Sequence, residues 1–311
     1  TIAPSQKVLQ AIQQTNWEKL NQYPAYAQAI KGLANDANVN TENIMLANGS
    51  NEAIKACMDA VLEPGNEVIV MTPSYKMYEI YAQASVGELK KVGLNSDFSF
   101  PTEKITQAIG ENTRLVILCS PNSPTGTSIE KEELEKILKN AKKALVMVDE
   151  AYGEFSRKTN TELVKKYDNL AVIKTFSKAY ALAGLRIGYM IANKNVIEQV
   201  QKTKAPYNVN ALAIKAIQVA LEDKEYVEKF VQEVNESKKI LYTFLERKKF
   251  AYTESESNFV LINFQEKSQQ VYDGLKQEKI LVRNVGKQLG YEGYLRITLG
   301  TREQTQQLIE N

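Results

Sequence analysis

Short apolar runs alternate with longer stretches of helical spacing through the first two thirds of the chain. The runs at 44–47, 67–71 (EVIVM), 115–119 (LVILC), 144–148 (ALVMV), 170–175 (LAVIKT) and 187–191 are rich in Val, Ile and Leu. They lack the alternation of a half-exposed strand and read as strands buried on both faces. Segment 86–93 reads as another extended piece. Apolar positions recur at helical spacing over 5–15, 26–35, 51–62, 75–84, 102–109 and 131–140, and Pro64-Gly65 stops the third of these helices. Such alternation predicts βαβ units around a mainly parallel, seven-stranded sheet, whose ligands gather at the carboxyl ends of the strands.

The pattern changes after Asn210. Positions 224–249 read as one long amphipathic helix, with Val227, Phe230, Val231, Val234, Leu241, Phe244 and Leu245 on one stripe. Strands at 258–264, 280–284 and 294–299 follow, with helices at 267–277 and 302–310. This predicts a large α/β domain over 26–215 and a smaller α+β domain made of 1–25 and 216–311. No Pro/Gly-rich linker parts them, so the long helix is expected to bridge the two.

Composition narrows the partners. The chain is 43% hydrophobic and 24% charged with a net charge of +2, and its 311 residues suit two domains. That balance gives no footing for nucleic acid or an anionic membrane. No apolar run nears the roughly 20 residues that span a bilayer. The start carries no charged-then-apolar leader, so a cytoplasmic location is expected. Cys57 and Cys119 lie in apolar runs and read as reduced core residues. Histidine is absent. A histidine base or a Ser–His pair is thereby excluded, and without histidine or clustered cysteines no metal site is expected. Proton transfer has to rest on lysine, tyrosine or a carboxylate.

Polar residues follow the strands. Asn48-Gly49-Ser50-Asn51-Glu52 opens a helix, where small residues leave N–H groups for an anion such as phosphate or simply cap the helix. Pro73-Ser74-Tyr75, with Tyr78 beyond, brings an aromatic that stacks on a flat ligand or packs on the rim. In Ser120-Pro121-Asn122-Ser123-Pro124-Thr125-Gly126 two prolines fix a turn that aims Asn122 at the sheet edge, and turn chemistry alone also accounts for it. Asp149-Glu150-Ala151-Tyr152 ends a buried strand on a carboxylate, which is costly without a cation. A pyridinium nitrogen is such a cation; a helix cap is the plainer alternative.

The densest run is TFSKAYALAGLRIG at 175–188. Thr175, Ser177 and Arg186 suit a phosphate beside Lys178, an amine placed next to buried apolar strands and so a candidate nucleophile. A surface loop with a lysine and an arginine is the bland alternative. Five strand ends thus offer an anion nest, an aromatic, an amide, an acid with a tyrosine, and a lysine with an arginine. Together they describe a site for a flat, phosphorylated, nitrogen-containing aldehyde, pyridoxal 5'-phosphate. Further on, Arg283 in LVRNVG and Arg296 in YLRIT sit among strand apolars, where each needs an anion, either a substrate or an internal Asp or Glu.

SPNSPTG, DEAY and TFSKAYALAGLRIGY, in this order and spacing, resemble the motifs of fold-type I aminotransferases. With NGSNEAI, EPGNEVIVMTPSY, LVRNVG and GYLRITLGT, the chain from about Pro4 to Leu308 looks most like the histidinol-phosphate aminotransferases of that family. The resemblance implies transamination of histidinol phosphate with 2-oxoglutarate, giving imidazole acetol phosphate and glutamate in histidine biosynthesis. It implies that Lys178 bonds the cofactor covalently and then carries a proton to and from the substrate α-carbon. Asp149 would keep the ring nitrogen protonated, and Tyr75 would stack on the ring. Asn122 and Tyr152 would bond the ring oxygen, with Asn122 also bordering the substrate. Ser50, Asn51, Thr175, Ser177 and Arg186 would hold the phosphate. Tyr23, in LNQYPAY, matches a tyrosine that reaches the neighbouring subunit's cofactor, which implies a homodimer with shared sites. Arg296 and Arg283 match an anion pocket that suits both the phosphate of histidinol phosphate and the carboxylates of glutamate. The family's N-terminal arm, with a substrate-side tyrosine, lies ahead of the segment matching Thr1–Pro4, and this sequence starts after it. The same cofactor residues would serve decarboxylation or transamination of another phosphorylated amino compound, or an aromatic amino acid aminotransferase. Enzymes of the fold that stack a histidine on the ring are excluded, and a cofactor-sensing regulator would need an added DNA-binding segment.

Overall fold

The computed structural model describes residues 2–286, 290 and 292–310. Helices α1 (Gln6–Gln13) and α2 (Ala27–Asp36) lead into β1 (Ile44–Asn48), α3 (Ser50–Val61) and β2 (Glu67–Thr72). Next come α4 (Met77–Ala84), β3 (Glu88–Gly93), α5 (Thr102–Ala108), β4 (Thr113–Cys119), α6 (Lys131–Asn140) and β5 (Leu145–Asp149). A short α7 (Gly153–Ser156) precedes β6 (Leu170–Thr175), β7 (Ile187–Ala192), α8 (Lys194–Val200), α9 (Ala211–Glu222) and α10 (Lys224–Lys248). The chain closes with β8 (Ala251–Thr253), β9 (Phe259–Asn263), α11 (Ser268–Gln277), β10 (Arg283–Asn284), β11 (Tyr294–Thr298) and α12 (Arg302–Glu310).

The expected seven-stranded sheet is present, in the order β1-β7-β6-β5-β4-β2-β3. β3, β2, β4, β5 and β6 pair in parallel, while β7 runs against both of its neighbours, β6 and β1. β5 shows why these strands read as unbroken apolar runs. Val146 and Val148 enter the core on one face, and Leu145 and Met147 enter the core on the other. Each such side chain contributes about 1.5–3 kcal/mol by leaving water. Val8, Leu33 and Ile217 close the first core, and Ile54, Met58 and Ile197 close the second.

β9, β11, β10 and β8 form a second, antiparallel sheet in the order β10-β11-β9-β8. α10 joins the two layers. Its 25 residues span about 37 Å. Phe230, Val231 and Val234 pack with Tyr152, Phe155 and Phe259, whereas Leu241 and Leu245 pack with Val260, Ile262, Leu295 and Ile297.

α7, α8, α9 and β8 are additions to the elements read from the pattern. α9 (ALAIKAIQVALE) is apolar over most of its circumference because it is buried between α1, α2 and the large core, so no stripe marks it. The extended segment expected over 280–284 narrows to Arg283–Asn284, paired among the described residues with β11 alone.

Candidate active site

At the end of β5 two successive carboxylates part company, as strand alternation requires. Asp149 is 3% exposed; its Oδ2 accepts from the Tyr78 hydroxyl at 2.7 Å and its Oδ1 from the Ala151 N–H at 3.0 Å. Burial pushes its carboxyl above the ordinary aspartate value, while those two bonds and the charge of Lys178 pull the other way. Among the described residues it enters no salt bridge. Glu150 turns to the opposite side and accepts from the Asn160 N–H at 2.6 Å, the Thr159 hydroxyl at 2.7 Å and Lys174 Nζ at 3.2 Å. Burial works against the Lys174 ammonium, but Glu150 and Glu154 outweigh it and hold its pKa above the usual lysine value. One acid is therefore structural, and the other is left with neutral donors only.

Beyond β6 the chain turns sharply. Thr175 Oγ1 lies 3.0 Å from both Ile187 O and Ser177 Oγ, and accepts from the Ser177 N–H at 3.2 Å. Lys178 follows, half-buried, with Nζ 5.1 Å from the centre of the Tyr152 ring. Tyr152 in turn meets Phe259 edge-on, with centroids 5.0 Å apart. Tyr152, Ser177, Lys178, Phe259 and Arg296 line a cavity of about 340 Å³, whose apolar wall includes Ile2 and Phe230. A larger crevice of about 810 Å³ lies between α10 and the turns at 97–99 and 127–128. It contains none of the residues singled out in the sequence, and its buried Lys238 is already bonded to Ser255 O at 2.9 Å. Chemistry, not size, identifies the smaller one.

A second cluster lies where α3 begins. Gly49 has φ 82°, and a Cβ there would fall 2.3 Å from Arg186 Nη2. The Arg186 guanidinium therefore rests against the first turn of α3, which holds Ser50 and Asn51 and whose free N–H groups and dipole favour an anion. Arg186 itself is in the left-handed region at φ 56°, and its Nη1 donates to Ala183 O at 3.0 Å. Gly188 makes the approach possible: a Cβ on it would sit 2.2 Å from the Ser50 nitrogen. The Tyr75 hydroxyl donates to Asn51 Oδ1 at 3.3 Å, and its ring crosses Tyr78 edge-on at 5.4 Å.

The arginines come from the second sheet. Arg283 and Arg296 are register partners on β10 and β11. Arg283 is exposed; Arg296 is half-buried, with its guanidinium carbon 4.8 Å from the centre of the Phe259 ring. Burial lowers the Arg296 pKa and the charge of Arg283 adds to that, while Tyr152 acts in the opposite sense. Its Nη1 donates to Ser123 Oγ at 2.9 Å, and its buried Nε has no partner.

The structure thus gathers Ser50, Asn51, Tyr75 and Arg186 at the start of α3, and Tyr152, Ser177, Lys178 and Arg296 around the cavity. Thr175 braces the turn between them. Asn122 is turned into the protein and fully bonded there. Tyr23 stands apart, 77% exposed and stacked on Tyr207 at 4.3 Å, near the exposed Trp17 and Leu20. Sequence reasoning left Tyr78 and Ser123 without a role. Tyr78 carried a signal, since it lies one helical turn after Tyr75 and so shares its face.

A family model for aminotransferase class I and II matches residues 1–311. Histidinol-phosphate aminotransferase 2 of Carboxydothermus hydrogenoformans is 38% identical, over 98% of this chain and 86% of its own. The histidinol-phosphate aminotransferase of Moorella thermoacetica is 34% identical, over 99% of this chain and 81% of its own. The solved structure of the histidinol-phosphate aminotransferase from Clostridium acetobutylicum matches with a TM-score of 0.92 and 26% identity, covering 99% of this chain and 95% of that one.

Proposed function

The chain belongs to the class I and II aminotransferases and has the fold-type I architecture, and within that family we propose that it moves the amino group of histidinol phosphate to 2-oxoglutarate with pyridoxal 5'-phosphate as cofactor. The residues present fit that cofactor. A carboxylate buried with neutral donors only suits a protonated ring nitrogen, which is the missing cation. The start of α3 with Arg186 against it suits the phosphate. Gly49 and Gly188, where a side chain would collide, keep that cradle open.

When bound, the cofactor supplies an aldehyde for the amino group and a ring that accepts electrons from the substrate carbon. Ser50, Asn51, Ser177 and Arg186 bind the phosphate, and Thr175 holds the turn that presents Ser177. Asp149 holds the ring-nitrogen proton, fixed in place by Tyr78 and the Ala151 N–H. Tyr75 covers the ring. Lys178, which lines the cavity in a chain without histidine, is the group that holds and moves the proton at the substrate α-carbon. Arg296 grips an anionic group of either substrate, and Arg283 adds a second positive charge for a phosphate or distal carboxylate. Ile2, Phe230 and Phe259 keep water from one wall of the cavity. Two such chains form a homodimer in which the exposed Tyr23 of each completes the other's phosphate site, a role supported by the uncovered Trp17, Leu20, Tyr23 and Tyr207.

The observation that carries this reading is Arg296, half-buried over the same cavity as Lys178 with an unpartnered Nε. It is tested by a panel of amines with 2-oxoglutarate as acceptor, measuring glutamate formed. Histidinol phosphate is expected to give the highest kcat/KM; a higher value with another phosphorylated or an aromatic amine would reassign the substrate.

A further inference from the structure

The turn between β4 and α6 contains two neighbouring polar residues with opposite fates. Asn122 is completely buried. Its Nδ2 donates to Pro73 O at 3.0 Å and to Thr125 Oγ1 at 2.9 Å, and its Oδ1 accepts from the Ser74 hydroxyl at 2.7 Å. Its backbone N–H donates to Thr127 O and its carbonyl accepts from the Gly126 N–H, both at 2.7 Å. Both side-chain protons are used inside the protein, so the amide has none left for a ligand.

Ser123 faces the other way. It is 8% exposed, and its hydroxyl oxygen accepts from Arg296 Nη1 at 2.9 Å, a bond between residues 173 positions apart in the chain. Its own O–H finds no acceptor among the described residues. Arg296 has few other restraints: the Phe259 ring lies beneath the guanidinium, Tyr152 interacts favourably with it, Arg283 repels it from the next strand, and Nε is unpartnered. A guanidinium without a fixed acceptor would swing away from Arg283 toward solvent. Holding one amino group on a rigid turn leaves the Nε edge of the fork for an incoming anion, and bidentate recognition depends on that planar orientation.

We infer that Ser123 is the positioning residue for Arg296: it orients the guanidinium for the anionic group of whichever substrate is bound, the phosphate of the amino donor or a carboxylate of the oxo acid, while Asn122 only stiffens the turn beneath it. The inference rests on the aminotransferase reading for the identity of the substrates, but not for the geometry. The bond also joins a turn of the large sheet to a strand of the small one.

Ser123→Ala and the near-isosteric Ser123→Cys, a poor acceptor, are expected to raise KM for both histidinol phosphate and 2-oxoglutarate by about tenfold, the loss of one charge-assisted hydrogen bond. kcat should change much less, and cofactor affinity should stay at the wild-type value. Ser123→Thr keeps the hydroxyl and should restore KM. In an Arg296→Ala background Ser123→Ala should add nothing, since the interaction is already absent. Binding of succinate, a dicarboxylate that cannot be transaminated, is followed by calorimetry on the cofactor-loaded protein. A weaker succinate constant in Ser123→Ala but not Ser123→Thr supports the inference even if histidinol phosphate proves not to be the substrate. Unchanged KM and succinate binding, an equal loss in the Thr variant, or full additivity with Arg296→Ala would each overturn it.

Discussion

At the end of β5, Asp149 is immobilised by two donors before any ligand arrives, whereas on β11 Arg296 is held by Ser123 and Tyr152 against a repelling neighbour and keeps a buried Nε with no partner. The end of β5 and the β11 wall of the cavity are thus prepared differently. A group that stays bound through every turnover can be met by side chains locked in their final geometry, and preorganised charge is where catalytic stabilisation is largest. Substrates come and go, so the groups that meet them must be left short of partners. An unsatisfied buried donor costs about 1–3 kcal/mol in the free protein, and an arriving anion relieves that cost. The β5 side should therefore govern kcat and the β11 side KM.

The largest effect is expected from Lys178→Ala, between the two sides: kcat should fall by at least about 10³-fold while the cofactor still binds without a covalent link. Single-turnover kinetics and cofactor titration check it, and normal turnover would remove the centre of the scheme. Asp149→Asn comes next. It should lower kcat by roughly 10²–10³-fold with little change in KM, and a loss below about tenfold would make the β5 side merely structural. Arg283→Ala should raise KM for histidinol phosphate several-fold and leave cofactor affinity alone. Equal losses in both would erase the distinction between the sides.

The smallest effect is on stability. With Asp149 raised by burial, the cofactor-free folded protein keeps this proton to a higher pH than the unfolded chain does. Its contribution is full below the unfolded value, about 3.9, and is lost as pH rises through the raised folded value. Melting temperatures of cofactor-free wild type should fall over that interval relative to Asp149→Asn, whose neutral amide does not titrate. Parallel curves would show that Asp149 is not desolvated.

The sheet was legible because strands buried on both faces leave unbroken apolar runs, as LVMVD and LAVIKT do, and because the polar residues had to follow them. That rule singled out the acid at 149 and the lysine at 178, and the family resemblance supplied the roles proposed for them. It fails where there is no period. Within SPNSPTG nothing tells Asn122 from Ser123, since a turn fixed by prolines does not alternate like a strand; only the bonds to Pro73 O and Arg296 tell which side chain faces in and which out. Tyr78 needed knowledge that α4 lays its hydroxyl over the end of β5, a contact between residues 71 positions apart. α9 was hidden for the opposite reason, being too uniformly apolar to show a face.

β7 is the strand that runs backwards, and it therefore begins, rather than ends, at the rim where β6 stops. One hairpin connection accordingly carries Ser177, Lys178 and Arg186, stitched shut by Phe176 N–H to Ile187 O and Leu182 N–H to Phe176 O, both 3.0 Å. Closing a short connection costs little chain entropy, so this cassette can assemble as soon as two adjacent strands zip together. The acid on β5 and the arginine on β11 must wait for distant parts of the chain. Adding residues to that connection would uncouple the amine from the phosphate grip without disturbing either sheet.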